Sequence, residues 1–143
     1  MIDHIWSILC SNSIIDIETN NVSILNVIDQ ITVNAEPSPD GFLPMPFEVV
    51  TLWVRSEKDS PAQGMERLLL VSPSSETTVA AEAVIDLTKA DRHRHRVKFS
   101  GIPAKEQGRH YFKVEVKEST DTEWRQVAAI PLMIMFEKSM VQA

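Results

Sequence analysis

The chain has 143 residues, of which 43% are hydrophobic and 24% are charged, and its formal net charge is −6. These values are typical of one globular domain with a single core, and they exclude a disordered chain. No apolar stretch approaches the roughly 18 residues that a membrane-spanning helix needs. We therefore predict one folded domain over residues 1–138, a frayed tail at 139–143 and no membrane segment.

The N-terminal residues argue against export. Asp3 stands where a secretory signal carries Lys or Arg, and no long apolar region follows it. Cys10 is the only cysteine, so an internal disulfide is excluded and a reducing compartment is indicated. We expect a cytoplasmic protein whose single thiol is buried and inert.

Charge is distributed unevenly along the chain. Residues 1–54 hold seven acids and neither Lys nor Arg, whereas residues 55–143 hold thirteen acids and fourteen bases. Such asymmetry can mark an acidic surface that faces a basic one, although folding can also interleave the two segments and cancel it.

Strand-like segments begin near the N-terminus and alternate with turns at short intervals, as in sandwiches and barrels. A turn at residues 19–21 joins Ile14–Ile17 to residues 22–35, which form one long strand or two short ones. A helix capped by Ser23 is the alternative, but the density of β-branched residues favours strand. One predicted face of this segment carries Leu25, Val27, Ile31 and Val33.

The connection at residues 36–46 contains four prolines and an apolar group, Phe42, Leu43 and Met45. A stiff loop of this kind can present contacts to a partner at low entropic cost. The same three side chains could instead plug the open end of a sandwich. We keep both interpretations, with Phe42, Leu43 and Met45 as candidate binding residues.

The middle of the chain supplies the next strands. Phe47–Arg55 is rich in β-branched and aromatic residues and almost free of charge, which predicts a central strand with Trp53 in the core. Met65–Val71 and Thr78–Leu87 follow as strands, although the alanines of the second segment also favour helix.

The clearest alternation lies in Arg109–Lys117, where every second residue is apolar or His and the intervening residues are polar or charged. The segment Trp124–Phe136 returns as a strand. Pro131 removes a hydrogen-bond donor from it, so this strand lies at an edge or bends there. Altogether we predict eight or nine strands and no long helix, an all-β chain.

A basic segment runs from Arg92 to Phe99. In an extended strand, one face carries Arg92, Arg94, Arg96 and Lys98, and the other carries His93, His95, Val97 and Phe99. The basic stripe, defined as Arg92, Arg94, Arg96 and Lys98, would fit a phosphate, a carboxylate-rich partner or the acidic N-terminal segment of another copy. The alternative is a solvated edge strand that charge protects from aggregation.

His93 and His95 are weak candidates for a metal site. Two histidines at i and i+2 on a strand can chelate zinc, but a site needs further ligands, for which only His4 or His110 is available as a histidine. Histidines that contact neighbours or water are far commoner. We therefore predict neither a metal nor another cofactor.

The motifs of several catalytic classes are missing from the sequence. The four glycines form no phosphate-binding loop, and no nucleophile-elbow pattern occurs. The net charge of −6 opposes nucleic-acid binding outside the basic stripe. We expect a protein that is not an enzyme.

Several segments resemble a family of small bacterial proteins known only as a domain of unknown function. They are Ile8–Cys10, Val22–Ile31, Phe47–Val50, Val97–Phe99, Ile102–Pro103, Tyr111–Val114 and Ile130–Leu132. The C-terminal segments are also similar to many immunoglobulin-like modules, while the turn Ser72–Ser75 lacks the expected Asp-Gly. The resemblance implies an immunoglobulin-like antiparallel β-sandwich and no established activity, so it carries over no catalytic residue.

We expect a non-catalytic protein-interaction or assembly domain, with self-association as one form of that role. The alternative is a module that binds a small ligand, a sugar or an anion. Its site would use the basic stripe or exposed aromatic residues among Trp6, Tyr111 and Trp124.

Overall fold

A computed structural model describes residues 1–137. This part of the chain forms eleven strands and no helix. The strands are β1 (Ile2–Ile15), β2 (Val22–Val27), β3 (Gln30–Val33), β4 (Phe42–Leu43), β5 (Phe47–Arg55), β6 (Ala62–Val71), β7 (Thr77–Leu87), β8 (Arg92–Phe99), β9 (Ile102–Pro103), β10 (Gly108–Glu118) and β11 (Arg125–Phe136). The all-β prediction is therefore confirmed, whereas the predicted tail at 139–143 lies outside the described residues.

Nine of these strands build two sheets. Sheet A has the order β2-β1-β5-β8, and sheet B has the order β3-β11-β10-β6-β7. Neighbouring strands are antiparallel except for β3 and β11, which run parallel. The remaining strands, β4 and β9, pair with each other. The arrangement is that of a β-sandwich.

The core lies between the two sheets. Sheet A contributes Phe47, Val49 and Trp53 from β5, and sheet B contributes alternate residues of β6, β10 and β11. The rings of Phe47 and Phe112 span the interface, with centroids 5.7 Å apart. The central position of β5 and the burial of Trp53 match the sequence prediction.

The alternation predicted for residues 109–117 is present in β10. His110, Phe112, Val114 and Val116 are buried, and the residues between them are partly exposed. The predicted strand Thr78–Leu87 is also present, as β7, although its alanines favour helix. Pairing with β6 along its whole length outweighs that local preference.

Residues 22–35 do not share one buried face, and that prediction is wrong. They form two strands in different sheets: β2 is an edge of sheet A and β3 is an edge of sheet B. Leu25 and Val27 are 42% and 63% exposed, whereas Ile31 is 8% exposed. The chain crosses between the sheets after Asn26, whose φ of 56° interrupts the extended backbone.

The eleven strands exceed the predicted eight or nine because β4 and β9 have only two residues each and no periodicity to detect. They pair with each other outside the two main sheets. Leu43 and Met45 pack against the core, as the plug interpretation predicts. Phe42 is 40% exposed and its ring lies over Gly101.

Pro131 lies in β11 where one side of the strand has no neighbour. Only Met133–Phe136 pair with β3, while β10 pairs along most of the other side. The first half of β11 therefore lies at an edge of sheet B, as predicted. The second half is covered by β3, a pairing between distant segments that local sequence does not encode.

Candidate functional site

The basic stripe occupies the outer face of sheet A. Across β5 and β8, Arg92 pairs with Val54, Arg94 with Leu52, Arg96 with Val50 and Lys98 with Glu48. The alternate residues of β8 face the opposite way, and Val97 and Phe99 pack against the core. The alternation predicted for residues 92–99 is therefore present.

Strand register also brings Trp6 to this face. Trp6 lies opposite Leu52 on one side of β5, and Arg94 lies opposite Leu52 on the other. The three residues form one row across β1, β5 and β8. A bulge in β1 between His4 and Trp6 sets this register, because it shifts the following residues to the other face.

The turn between β1 and β2 folds over the row. Arg94 donates one hydrogen bond to the Asn20 carbonyl oxygen at 2.9 Å and another to Asn20 Oδ1 at 3.1 Å. Asn20 adopts a left-handed conformation with φ of 60°, which asparagine tolerates better than most residues. The contact ties the hairpin to the outer face of sheet A.

A cavity of about 650 Å³ lies between this turn and sheet A. We call it the hairpin cavity; its walls include Trp6, Asn20, Leu52, Asp91, Arg92 and Arg94. Its volume falls in the range of small-molecule sites, about 300–1,000 Å³. Its lining includes two Arg and one Asp, so basic side chains outnumber acidic ones by one.

The four residues of the basic stripe differ in the hydrogen bonds that their side chains make. Arg94 holds Asn20, and Arg96 lies 3.3 Å from the carbonyl and hydroxyl oxygens of Ser13. Arg92 and Lys98 are exposed, and neither side chain makes a hydrogen bond or ion pair with another described residue. Of these two, only Arg92 lines the hairpin cavity.

Glu48 lies near Arg96 through their shared neighbour Ser13. Its side chain is buried on the outer face and accepts a hydrogen bond from the Ser13 hydroxyl. Ser13 in turn lies beside the Arg96 guanidinium. Arg96 is therefore engaged with Ser13, the residue whose hydroxyl also donates to the buried Glu48 carboxyl group.

His93 and His95 point into the sandwich. His95 Nδ1 contacts Glu66 Oε1 of the facing sheet, and the His93 and His95 rings have centroids 6.0 Å apart. His110, offered as a further ligand, contacts the Gly108 carbonyl oxygen at 3.1 Å. In residues 1–137, no three His, Cys, Asp or Glu residues are placed to hold a metal ion.

An inner polar cluster surrounds that contact; it consists of His4, Thr51, Trp53, Glu66 and His95. His4 Nε2 and the Ser7 hydroxyl are 2.8 Å apart, and Ser7 continues to the Thr51 hydroxyl at 2.8 Å. The His4 ring also meets the Trp53 ring edge-on at 5.3 Å. Burial lowers the pKa of His4, and the nearby Glu66 carboxylate partly opposes that effect.

Two atoms of the inner polar cluster are buried without a hydrogen-bond partner among the described residues, Trp53 Nε1 and Glu66 Oε2. Glu66 is 1% exposed, and its other oxygen, Oε1, contacts His95 Nδ1. A buried carboxylate held by one partner makes the fold sensitive to that partner.

The other aromatic residues named as ligand-binding candidates lie on the outer face of sheet B. Trp124 stacks with Arg67, whose guanidinium carbon is 4.3 Å from the ring centroid. Tyr111 lines a second cavity of about 360 Å³, the sheet B cavity, together with Val71, Pro73, Arg109, Lys113 and Ala129. Only Trp6 shares a cavity with residues of the basic stripe.

Asn20 and Leu52 are site residues that the sequence analysis missed. The turn at 19–21 was predicted, but nothing in its sequence indicates that it folds over a distant strand. Cys10, in contrast, is buried as expected, and burial raises the pKa of its thiol, with the Glu48 carboxylate adding to the effect. A thiol with a raised pKa is a weak nucleophile.

Comparison with models of known protein families and with curated proteins gives no match to this chain. Over residues 1–137, no helix is long and apolar enough to cross a membrane.

Proposed function

We propose that this protein is a non-catalytic binding domain that takes a small ligand, a sugar or an anion, in the hairpin cavity. The observation that carries the proposal is the convergence of Trp6, Arg92 and Arg94 on one concave surface. Trp6 belongs to β1 and the two arginines belong to β8, the first and the last strand of sheet A along the chain. The registers of both strands against β5 bring them together.

Each wall of the cavity offers a different contact. The Arg92 guanidinium is unengaged and can donate paired hydrogen bonds to a carboxylate or phosphate. The Trp6 ring offers a flat apolar surface on which a sugar or planar ring can stack. Because Asp91 also lines the cavity, a ligand with one anionic group on a ring fits better than a highly charged one.

Thermal unfolding in the presence of defined probes tests this proposal. We expect glucuronate, benzoate or adenosine monophosphate to raise the melting temperature, and neutral glucose to do so less. A ligand at 100 times its dissociation constant adds about 2.7 kcal/mol to the free energy of unfolding. Arg92→Gln should weaken the affinity for the anionic probes at least tenfold. The control Lys58→Gln, which lies outside the cavity, should bind them as wild type does.

The proposal fails if no anionic or sugar probe shifts the transition. It also fails if Arg92→Gln and Lys58→Gln bind an active probe equally well, because the Arg92 guanidinium would then make no contact with it.

We also infer an immunoglobulin-like topology. In variable-type immunoglobulin domains the last two strands adjoin an earlier hairpin pair in one sheet. The order β11-β10-β6-β7 in sheet B has the same relation. The parallel pairing of the early strand β3 with the last strand β11 is further support. The resemblance to an uncharacterised bacterial family and a cytoplasmic location remain predictions.

A second candidate function is a protein-interaction or assembly domain that associates with copies of itself. The observation in its favour is the group of exposed apolar side chains on the β1–β2 hairpin, which comprises Ile14, Ile17, Leu25 and Val27. Strand β2 is also an edge of sheet A, and exposed edges are sites of association. Light scattering across a salt series tests this role, and a strict monomer at high concentration and low salt would contradict it.

A further inference from the structure

The turn between β1 and β2 presents an apolar residue at its most exposed point. Ile17 is 98% exposed, and it stands between two acids, Asp16 and Glu18. A fully exposed isoleucine makes no contribution to the core. Its position at the tip of a hairpin suits insertion into a cavity of another molecule.

The tip is held in one conformation by its own hydrogen bonds. Asp16 Oδ1 accepts the N–H groups of Glu18 at 2.8 Å and Thr19 at 3.0 Å. The backbone N–H of Asp16 donates to Asn21 O at 2.9 Å, and that of Asn20 donates to Asp16 O at 2.8 Å. Arg94 then fastens Asn20 to sheet A. A preorganised tip loses little conformational entropy on binding.

The sheet B cavity has the complementary chemistry. Val71, Pro73, Tyr111 and Ala129 supply apolar surface, and Arg109 and Lys113 supply two positive charges. Its volume of about 360 Å³ leaves room for one branched aliphatic side chain with its flanking backbone. The sequence Asp16-Ile17-Glu18 offers an acid on each side of the apolar group.

The charges of the tip persist at neutral pH. The N–H groups of Thr19 and Glu18 stabilise the Asp16 carboxylate and hold its pKa below the ordinary value. The sheet B cavity is lined by two basic residues, Arg109 and Lys113, which are opposite in charge to the acids of the tip. Opposite charges around an apolar contact set orientation and increase the association rate.

We propose that the protein assembles head to tail, with Ile17 of one copy seated in the sheet B cavity of the next. This inference rests on the second proposed function, self-association, and names its partner and surfaces. Each contact joins the tip of one copy to the cavity of the next, two different surfaces, so it is heterologous. Repetition produces a ring if the rotation closes and a filament if it does not.

One variant tests the tip and a second variant tests the cavity. Ile17→Ser removes the apolar group at a position that touches nothing within the folded chain. Arg109→Glu/Lys113→Glu reverses the charge of the cavity. Lys58→Glu/Lys89→Glu is the control, because it makes the same change in net charge outside both surfaces.

Light scattering at low salt measures the result. We expect wild type and the control to exceed the monomer mass and to return to it as salt rises, because screening weakens the charge contacts. Each test variant alone should be a monomer, with circular dichroism showing that it is folded. An equimolar mixture of Ile17→Ser with Arg109→Glu/Lys113→Glu should form a one-to-one dimer, since one intact tip meets one intact cavity.

Other outcomes would overturn the proposal in distinguishable ways. If wild type is a monomer at millimolar concentration and low salt, self-association itself is wrong. If wild type associates and Ile17→Ser does so equally, self-association stands and the tip is not its contact. If the two folded variants remain monomers when mixed, the pairing of tip with cavity is wrong.

Discussion

Glu66 is buried, and its carboxyl group contacts the His95 ring. The stability of the fold should therefore depend on His95. His95→Leu should destabilise the fold by about 1–3 kcal/mol, because it leaves the buried carboxyl group of Glu66 without its hydrogen-bond partner. Adding Glu66→Leu to that variant should recover much of the loss, since two apolar side chains can replace a buried pair. Urea unfolding of the two single variants and the double variant measures this. A double variant less stable than His95→Leu would contradict the interpretation.

His4 links the same interior to pH. Burial lowers its pKa in the folded chain from the ordinary value of 6.5, so below about pH 6.5 the unfolded chain binds more protons than the folded one. Stability therefore falls as pH decreases from neutrality through this range. His4→Gln should make the melting temperature less dependent on pH between 7.5 and 5.5. An unchanged pH dependence would show that His4 is not responsible.

At the scale of elements, the β1–β2 hairpin depends on Arg94 to lie against sheet A. Arg94→Gln should release the turn at residues 16–21 and cost about 1 kcal/mol, since charged hydrogen bonds at a partly exposed site contribute modestly. Hydrogen exchange of the amides in this turn should accelerate, and probe binding in the hairpin cavity should weaken. Arg92→Gln is the matched control for the exchange measurement alone, because the Arg92 side chain makes no hydrogen bond with the turn although it lines the proposed binding site. Equal exchange in the two variants would argue against this role.

For the whole molecule, the contact between the two sheets determines stability. Phe112 bridges to Phe47 and Phe99 of sheet A, so Phe112→Ala should reduce the free energy of unfolding by about 3–5 kcal/mol. Val84→Ala, on an exposed position of β7, should change it by less than about 0.5 kcal/mol. Chemical denaturation compares the two. Similar costs at both positions would be inconsistent with a core between the sheets.

Local sequence was sufficient for the strands whose side chains alternate over many residues. The period of two in residues 109–117 and the β-branched run of residues 47–55 predicted β10 and β5, because burial of one or both faces leaves a pattern along the chain. The same reasoning separated the basic stripe from the histidines on β8. Each of these features depends only on neighbouring residues and extended geometry.

The tertiary structure alone decided what these elements contact. Residues 22–35 divide between two sheets, and Trp6 shares a cavity with Arg92 because a bulge and two strand registers align them. His95 contacts a carboxyl group of the opposite sheet, that of Glu66, and within residues 1–137 the four histidines are not part of any group placed to hold a metal ion. Pairings between segments tens of residues apart follow from packing of the whole chain, and a strand carries no local record of which neighbour it will have.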